Sequence, residues 1–314
     1  MIFPDRRAGA AAPISTDVDE AVAVLRAGGL VAIPTETVYG LAADASNEAA
    51  VRRIFAAKGR PVDHPLIVHV ADGAELCDWA SSVPASAATL ADACWPGPLT
   101  LVVPRGARVL PVVTGGRSTV GVRVPAHDLT LDLLRRLGGG VAAPSANRFG
   151  RVSPTTALHV QRDLGDAVDL ILDGGPCPVG VESTIVDCTV DPPQVLRPGG
   201  IPADQIEALL TQGLAPAAGP SRASGMLASH YAPACEVLLA DDAAHAIEIA
   251  ALRLDAVVIG IDVDPVVYAR QLYDWLRRAD ERGSGVVVAV LPPAAGLGHA
   301  IRDRLIKAAA ARAS

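Results

Sequence analysis

The sequence predicts an α/β protein in which a twisted mixed sheet with flanking helices is followed by a small domain built on a parallel sheet. The length of 314 residues suggests about two domains at the usual ~150 residues per domain. Short apolar runs bounded by Gly and Pro alternate with segments of helical periodicity, which is typical of α/β folds. The segment 211–225 is dense in Gly, Pro, Ala and Ser, so we interpret it as a linker between the two parts.

The first part of the chain contains most of the predicted elements. Asp17 precedes an apolar-periodic helix over 18–26 and is expected to cap its first N–H groups. The predicted strands are 30–34, 66–70, 99–104, 119–125, 141–144, 168–172, 182–188 and 193–198. The other predicted helices are 48–57, 72–80, 84–94, 128–137, 155–163 and 202–211. Hairpin-like connections occur beside crossover connections, so the sheet should be mixed.

The last part of the chain alternates strictly between strands and helices. The strands are predicted at 235–239, 256–261 and 285–291, and the helices at 243–252, 266–280 and 298–311. Repeated βα units form a parallel sheet with right-handed crossovers. We therefore divide the chain into an N-terminal extension (1–16), a larger domain (17–212), a linker (213–234) and a small C-terminal α/β domain (235–314).

Composition excludes several classes of protein. The net charge of -7 argues against a generic nucleic-acid binder. No apolar run reaches the ~18 residues that span a bilayer, and the first residues contain no apolar signal segment, so we expect a cytoplasmic protein without a membrane partner. The five cysteines form no CxxC pair and no zinc pattern, so we expect buried, reduced side chains.

Polar residues cluster where predicted strands end. Four cations, Lys58, Arg60, Arg123 and Arg197, fall in or beside these segments together with several hydroxyl and amide side chains. Each has an ordinary structural explanation, such as a turn cap or a surface charge. Together they predict an anion site for phosphate and a carboxylate, because ligands of α/β folds bind at strand ends. The sequence contains no P-loop and no GxGxxG motif, so a nucleotide would be held by another arrangement.

Seven motifs in this region resemble one family in their order. They are PTETVYGL (34–41), KGRPVDHPL (58–66), WPGPLT (95–100), GVRVP (121–125), PSAN (144–147), ESTIVD (182–187) and RPGG (197–200). This series is similar to the YrdC-like family of threonylcarbamoyl-adenylate synthases. GMLASHYAP (225–233) and the α/β unit after it resemble the two-domain form of that family, with a linker and a Rossmann-like C-terminal domain.

The resemblance implies a YrdC-like fold with a concave cleft and a nucleotidyltransferase activity. L-threonine, bicarbonate or CO2, and ATP would give L-threonylcarbamoyl-AMP and pyrophosphate, with Mg²⁺ accompanying ATP. A downstream tRNA threonylcarbamoyl-transferase complex would use the product, so tRNA would be an indirect target.

The resemblance also implies roles for individual residues. Lys58 and Arg60 would be catalytic by neutralising the triphosphate. The other ATP-binding residues would be His64, Thr119, Ser145, Asn147, Ser153, Arg197 and, through a linker that folds over the cleft, Tyr231. Arg123 would pair with the threonine carboxylate. The rest of the threonine pocket would be Thr35, Thr37, His69, Ala143 and Ser183.

Two other functions compete with the synthase. A YrdC-like domain could bind tRNA or double-stranded RNA without catalysis, although the acidic balance of this chain argues against that as its main role. A carbamoyltransferase domain of hydrogenase maturation shares the fold, but the zinc-finger cysteines of that system are not visible here.

Overall fold

The computed structural model describes residues 11–215 and 231–310, which contain a ten-stranded sheet and a three-stranded sheet. The larger sheet consists of β1 (Ile14–Ser15), β2 (Val31–Ile33), β3 (Gly40–Asp44), β4 (Ile67–His69), β5 (Leu99–Pro104), β6 (Thr119–Arg123), β7 (Val141–Ala142), β8 (Leu170–Leu172), β9 (Thr184–Asp187) and β10 (Gln194–Arg197). The smaller sheet consists of β11 (Glu236–Ala240), β12 (Ala256–Ile259) and β13 (Val286–Val290).

The helices cover the sheets and connect their strands. Those of the first part are α1 (Val18–Arg26), α2 (Glu48–Lys58), α3 (Leu76–Trp79), α4 (Ala85–Cys94), α5 (Pro111–Thr114), α6 (Asp128–Leu137), α7 (Ala157–Leu164) and α8 (Ala203–Leu209). Those of the last part are α9 (Ala243–Ala251), α10 (Pro265–Glu281) and α11 (Gly298–Ala310). The predicted cap of α1 is confirmed, because Asp17 accepts hydrogen bonds from the N–H groups of Asp19 and Glu20.

The larger sheet is mixed, as the sequence predicts. Its strand order is β1-β8-β2-β3-β7-β4-β6-β5-β9-β10. The pairs β1/β8, β2/β8, β4/β6 and β5/β9 are parallel, and the other neighbouring pairs are antiparallel. Along β2, Ala32 packs in one apolar cluster, whereas Val31 and Ile33 pack in another. Successive side chains of a strand point to opposite faces, so the sheet is covered on both sides.

Three features of the first part differ from the sequence prediction. The segment 40–44 forms β3, antiparallel to β2, where no strand was predicted. Its small residues carry little strand signal, and the pairing with β2 makes the strand. Within the expected N-terminal extension, Ile14 and Ser15 form β1 against β8. Cys77 is exposed rather than buried, because α3 turns Leu76 and Trp79 inward instead.

The C-terminal part forms the predicted parallel sheet. Its strand order is β11-β13-β12, and both pairs are parallel. The long helix α10 begins at Pro265, directly after Asp264. The carboxylate of Asp264 accepts from the N–H groups of Val266 and Val267, so the helix start is capped as its sequence favours.

The two parts pack directly against each other. Val38 and Val181 of the larger domain belong to the same buried cluster as Leu272 and Tyr273 of α10. Gly180 has a φ of +82°, and a Cβ placed there would lie 2.4 Å from the Cα of Arg270. The backbone before β9 therefore approaches α10 more closely than any residue with a side chain allows.

The predicted linker lies mostly outside the described residues, which exclude 1–10, 216–230 and 311–314. Its closure over the cleft remains a prediction, as do the domain boundaries. Tyr231 is described, and its side chain is buried. Within 11–215 and 231–310, no helix has the length and apolarity that crossing a membrane requires.

Candidate functional site

A pocket with about 550 Å³ of empty space opens where several segments of the larger sheet end. It is lined by the loop between β2 and β3, the residues after β7, the residues before β9, and the end of β10. The lining residues are Thr35, Thr37, Val38, Gly40, Arg60, Ile67, His69, Arg123, Ala143, Pro144, Ser145, Glu182, Ser183, Arg197 and Tyr231. The sequence predicted an anion site at these strand ends, and the pocket lies there.

The pocket gathers most of the predicted site residues but not all of them. Those that line it are Thr35, Thr37, Arg60, His69, Arg123, Ala143, Ser145, Ser183, Arg197 and Tyr231. Those that do not line it are Lys58, His64, Thr119, Asn147 and Ser153. The second group therefore lies outside the pocket wall.

A chain of hydrogen bonds orders the loop after β2. The Thr35 hydroxyl donates to the carbonyl of Val38 at 2.6 Å and lies 2.8 Å from the Thr37 hydroxyl. Since the Thr35 proton is committed to Val38, Thr37 is the donor in the second contact. The Thr37 oxygen in turn accepts from Nη2 of Arg123 at 2.9 Å. The two threonines are thus held rigidly against a buried cation.

Arg123 lies at the end of β6 and is almost completely buried. Its Nη2 is 2.7 Å from Oε1 of Glu36, and its Nε donates to the carbonyl of Gly97 at 3.2 Å. The sequence identified the arginine but did not assign a function to Glu36. A buried guanidinium with a fixed orientation is suited to binding a carboxylate.

His69 is the last residue of β4 and lies beside Arg123 in the pocket wall. Burial, and next the positive charge of Arg123, lower the pKa of His69 to about 3. Its imidazole is therefore neutral at physiological pH. A neutral ring can offer one donor and one acceptor to a ligand without adding charge to this end of the pocket.

Lys58, the last residue of α2, lies behind the pocket wall. Its Nζ donates to the main-chain carbonyls of Ser145 and Asn147, and the side chain is buried. Burial, and next the charge of Arg60, hold the pKa of Lys58 well below its ordinary value. Lys58 thus fixes the backbone of the PSAN motif, which carries Ser145 into the pocket.

Arg60 and Arg197 supply the positive charge of the pocket's other end. Burial and the nearby Arg197 lower the pKa of Arg60 to about 10, so it remains charged. Arg197 donates to the carbonyl of Ser183 at 2.8 Å and to its hydroxyl at 3.1 Å. An irregularity in the β9/β10 register falls between Val195 and Arg197. Such bulges redirect side chains, and this one accompanies the buried position of Arg197.

The remaining predicted residues have local roles in the structure. The Asn147 amide donates to the carbonyls of Arg148 and Arg151, so it orders a turn. His64 packs edge-on against Phe149, with ring centroids 5.3 Å apart. Thr119 begins β6 opposite Pro104. Ser153 donates to Oε1 of Glu182 at 2.6 Å.

Glu182 is a pocket residue that the sequence interpretation missed. It belongs to the ESTIVD motif, in which the sequence indicated only the hydroxyl residues as site candidates. Nε of Arg304 lies 2.7 Å from its Oε2, and the Tyr273 hydroxyl donates to both of its oxygens. Burial alone would raise the pKa of Glu182, but the charges of Arg304 and Arg197 outweigh it and lower the pKa to about 2.

Comparison with known proteins agrees with this organisation. The Sua5/YciO/YrdC family model, described as "Telomere recombination", matches residues 23–199. A second model, "Threonylcarbamoyl-AMP synthase, C-terminal domain", matches residues 201–310. Together they account for both parts of the chain.

Relatives of similar length share this two-part architecture. The threonylcarbamoyl-AMP synthase of Pyrococcus abyssi is 43% identical, over 93% of this chain and 94% of its own. That of Bacillus subtilis is 41% identical, over 94% and 93%. The crystal structure of P. abyssi Sua5 complexed with L-threonine superimposes with a TM-score of 0.89 at 38% identity, covering 96% of this chain and 98% of that one. The chain therefore belongs to the Sua5/YciO/YrdC family, in the two-domain form of its threonylcarbamoyl-AMP synthases.

Proposed function

We propose that this chain makes L-threonylcarbamoyl-AMP in the pocket that Arg60, Arg123 and Arg197 line. The observation that carries the proposal is the pocket itself. It holds a buried guanidinium beside two ordered threonine hydroxyls at one end, and two further arginines at the other. An amino acid and a nucleotide need these two kinds of surroundings, and the chain's family is that of threonylcarbamoyl-AMP synthases.

The threonine would occupy the end formed by Arg123, His69, Thr35 and Thr37. The carboxylate would pair with the Arg123 guanidinium, which provides N–H donors in a fixed plane. The substrate hydroxyl would find hydroxyl partners in the same wall, which also includes Ala143 and Ser183. A site that hydrogen-bonds a substrate hydroxyl rejects the analogue without one, because its own polar groups are then left unpaired.

The nucleotide would occupy the end formed by Arg60, Ser145, Arg197 and Tyr231. Lys58 supports this end through the 145–147 backbone. The direct contact with triphosphate that the family resemblance implies would require its Nζ to leave one of those carbonyls. The surrounding residues with expected contacts to ATP are His64, Thr119, Asn147 and Ser153.

The reaction needs no nucleophile from the protein. The threonine amine and CO2 or bicarbonate form a carbamate, and a carbamate oxygen attacks the α-phosphorus of ATP. The bond to the β-phosphate oxygen breaks and pyrophosphate leaves, with a water also released when bicarbonate is the carbon source. Catalysis would consist of positioning and of neutralising the negative charge that shifts onto pyrophosphate, which is the role for Arg60 and Arg197.

Magnesium would enter with ATP as part of the substrate. Glu182, in the pocket wall, and Glu36, between the lining residues Thr35 and Thr37, are already ion-paired with Arg304 and Arg123. Within the described parts of the chain, no group of three or more His, Cys, Asp and Glu side chains could hold an ion. The described residues therefore show no such cluster of metal ligands. The product would pass to a tRNA threonylcarbamoyl-transferase complex.

Pyrophosphate release by the purified full chain tests the proposal. ATP, bicarbonate and Mg²⁺ are supplied with L-threonine, with L-valine or with no amino acid. We expect release that depends on L-threonine and is at background with L-valine. Release independent of the amino acid, or none despite ATP binding, would overturn the proposal. Salt-sensitive tRNA binding without turnover would favour the RNA-binding alternative instead.

A further inference from the structure

An arginine of the C-terminal domain reaches the nucleotide end of the pocket. Arg304 lies on α11, and its side chain is completely buried. Its Nε is 2.7 Å from Oε2 of Glu182, a residue of the pocket wall in the larger domain. Its Nη2 also donates to the carbonyl of Pro198, in the loop just after Arg197. One side chain therefore ties α11 to two segments of the pocket.

The same guanidinium contacts a second pocket residue. Its central carbon lies 5.0 Å from the ring centroid of Tyr231, within the range of a cation–π contact. Another neighbour of Tyr231 is Tyr273 of α10, whose ring stacks against it with centroids 5.9 Å apart. Tyr231, which lies in the predicted linker (213–234), is thus positioned by two side chains of the C-terminal domain.

The buried negative charge of Glu182 is balanced by the positive charge of Arg304. Glu182 is buried, and without Arg304 its remaining donors in this network are the neutral hydroxyls of Ser153 and Tyr273. The nearby cation Arg197 would then attract the Glu182 carboxylate more strongly. Removing one member of a buried ion pair leaves the other uncompensated, so the survivors rearrange or become neutral. Arg197 lines the pocket, so a change in its ion pairing would change the positive charge that a ligand meets there.

We propose that Arg304 is a positioning residue for the nucleotide, holding Glu182 and Tyr231 so that Arg197 stays available to phosphate. This inference rests on the proposed function, and it gives the C-terminal domain a role in ATP binding. Arg304 touches neither substrate in this proposal. Its effect passes through the pocket residues that it fixes.

A purely structural role would give a different result. If Arg304 only joined the two domains, its loss would lower stability and affect both substrates alike. A positioning role at the nucleotide end predicts a selective loss. The Michaelis constant for ATP should rise, while that for L-threonine should stay nearly constant because Arg123 and Thr37 are held by bonds that do not involve Arg304.

The experiment compares Arg304→Met with Arg302→Met in the full chain. Arg302 is on the same helix, and its described hydrogen bond is to the carbonyl of Pro292 within the C-terminal domain. Pyrophosphate release and ATP binding are measured for both variants and the wild type. For Arg304→Met we expect the ATP KM to rise about 10- to 100-fold, the loss that a charged hydrogen bond implies, with the L-threonine KM within about threefold. Arg302→Met should match the wild type.

A less disruptive substitution keeps the proposal testable if Arg304→Met does not fold. Tyr273→Phe removes one hydroxyl that donates to Glu182 and retains the ring that stacks on Tyr231. It should raise the ATP KM about threefold to tenfold, in proportion to the loss of a neutral hydrogen bond. An unchanged ATP KM in the folded variants, or equal rises for ATP and L-threonine, would overturn the proposal. Absence of threonine-dependent turnover in the wild type would instead refute the proposed function.

Discussion

Glu36 and Arg123 form a buried ion pair, with Oε1 and Nη2 2.7 Å apart, and Arg123 lines the pocket. The hydrogen bonds of Arg123 to Thr37 and Gly97 use Nη2 and Nε. Among the described contacts, Nη1 is the nitrogen that remains for a ligand. Glu36 therefore orients the guanidinium without consuming all of its donors, which suits a site that must still receive a carboxylate.

Replacing Arg123 should affect L-threonine selectively. Arg123→Lys retains the positive charge near Glu36 but loses the planar set of donors. We expect the L-threonine KM to rise about 10- to 100-fold, corresponding to the loss of a charged hydrogen bond. ATP affinity should change little. Pyrophosphate release titrated with L-threonine, together with direct ATP binding, measures both effects, and an unchanged L-threonine KM would contradict the assignment.

Lys58→Ala and Arg60→Ala should both abolish adenylate formation, for different reasons. Arg60 faces the pocket, so its loss removes charge from the phosphate end. Lys58 holds the carbonyls of Ser145 and Asn147, so its loss also lowers the free energy of unfolding by about 1–3 kcal/mol for the groups left unpaired. Urea denaturation beside the activity assay separates the two variants. Near-normal turnover in either one would refute its role.

The C-terminal fold could be predicted closely because its signals are local. Each strand of that domain is a short apolar run, α10 begins directly after Asp264, and α11 begins at Gly298, so the predicted bounds of these two helices differ from the observed ones by at most one residue. Strand β3 was missed because its residues are small and its partner β2 lies beyond a polar loop. Pairing that depends on a neighbouring strand is not visible in a local pattern.

Much of the candidate site could also be predicted, since motifs at the ends of sheet strands meet at one edge. Arg123 and Ser183 are examples, although they are far apart in sequence. The pairing of Glu182 with Arg304 was not predictable, because the two residues are 122 positions apart and belong to different domains. Nor could the sequence show that Lys58 bonds to backbone carbonyls instead of facing the pocket. Side-chain direction at a helix end depends on the packing around it.

The close contact of Gly180 with α10 predicts a large effect of a single methyl group. A Cβ at Gly180 would lie 2.4 Å from the Cα of Arg270 and 2.5 Å from the carbonyl oxygen of Ala269, both backbone atoms. Gly138→Ala is the matched control, since Gly138 also has a positive φ, of +75°, but no atom within 4 Å. The control should cost about 1–2 kcal/mol of unfolding free energy from backbone strain alone.

Gly180→Ala should cost that amount plus about 1–3 kcal/mol for overpacking at the domain interface. It should also reduce turnover, because the displaced α10 carries Tyr273, which bonds to Glu182. Urea denaturation and pyrophosphate release provide the two readouts. Equal losses of stability in the two variants would mean that the domains are not in close contact at Gly180.

Acid should destabilise the protein below pH 6.5 through His69. Burial and the charge of Arg123 lower its folded-state pKa to about 3 from an ordinary value of 6.5. Between these values the unfolded chain binds a proton that the folded chain does not, so the free energy of unfolding falls as pH decreases. The slope reaches about 1.4 kcal/mol per pH unit for one such group. His69→Gln cannot titrate, so its stability should fall less steeply from pH 6.5 to 5.

The pH range and the comparison with the wild type separate the contribution of His69 from those of other buried groups. Glu182, with a pKa of about 2, loses its stabilising contribution only below about pH 4.5, outside the range. His159, whose pKa is also lowered to about 3 by burial and neighbouring arginines, contributes equally to both proteins. His299→Gln, at an exposed position, serves as the control for replacing a histidine with glutamine. Identical slopes for the wild type and His69→Gln would show that His69 is protonated in the folded protein, and the neutral imidazole assigned to the threonine end would then be wrong.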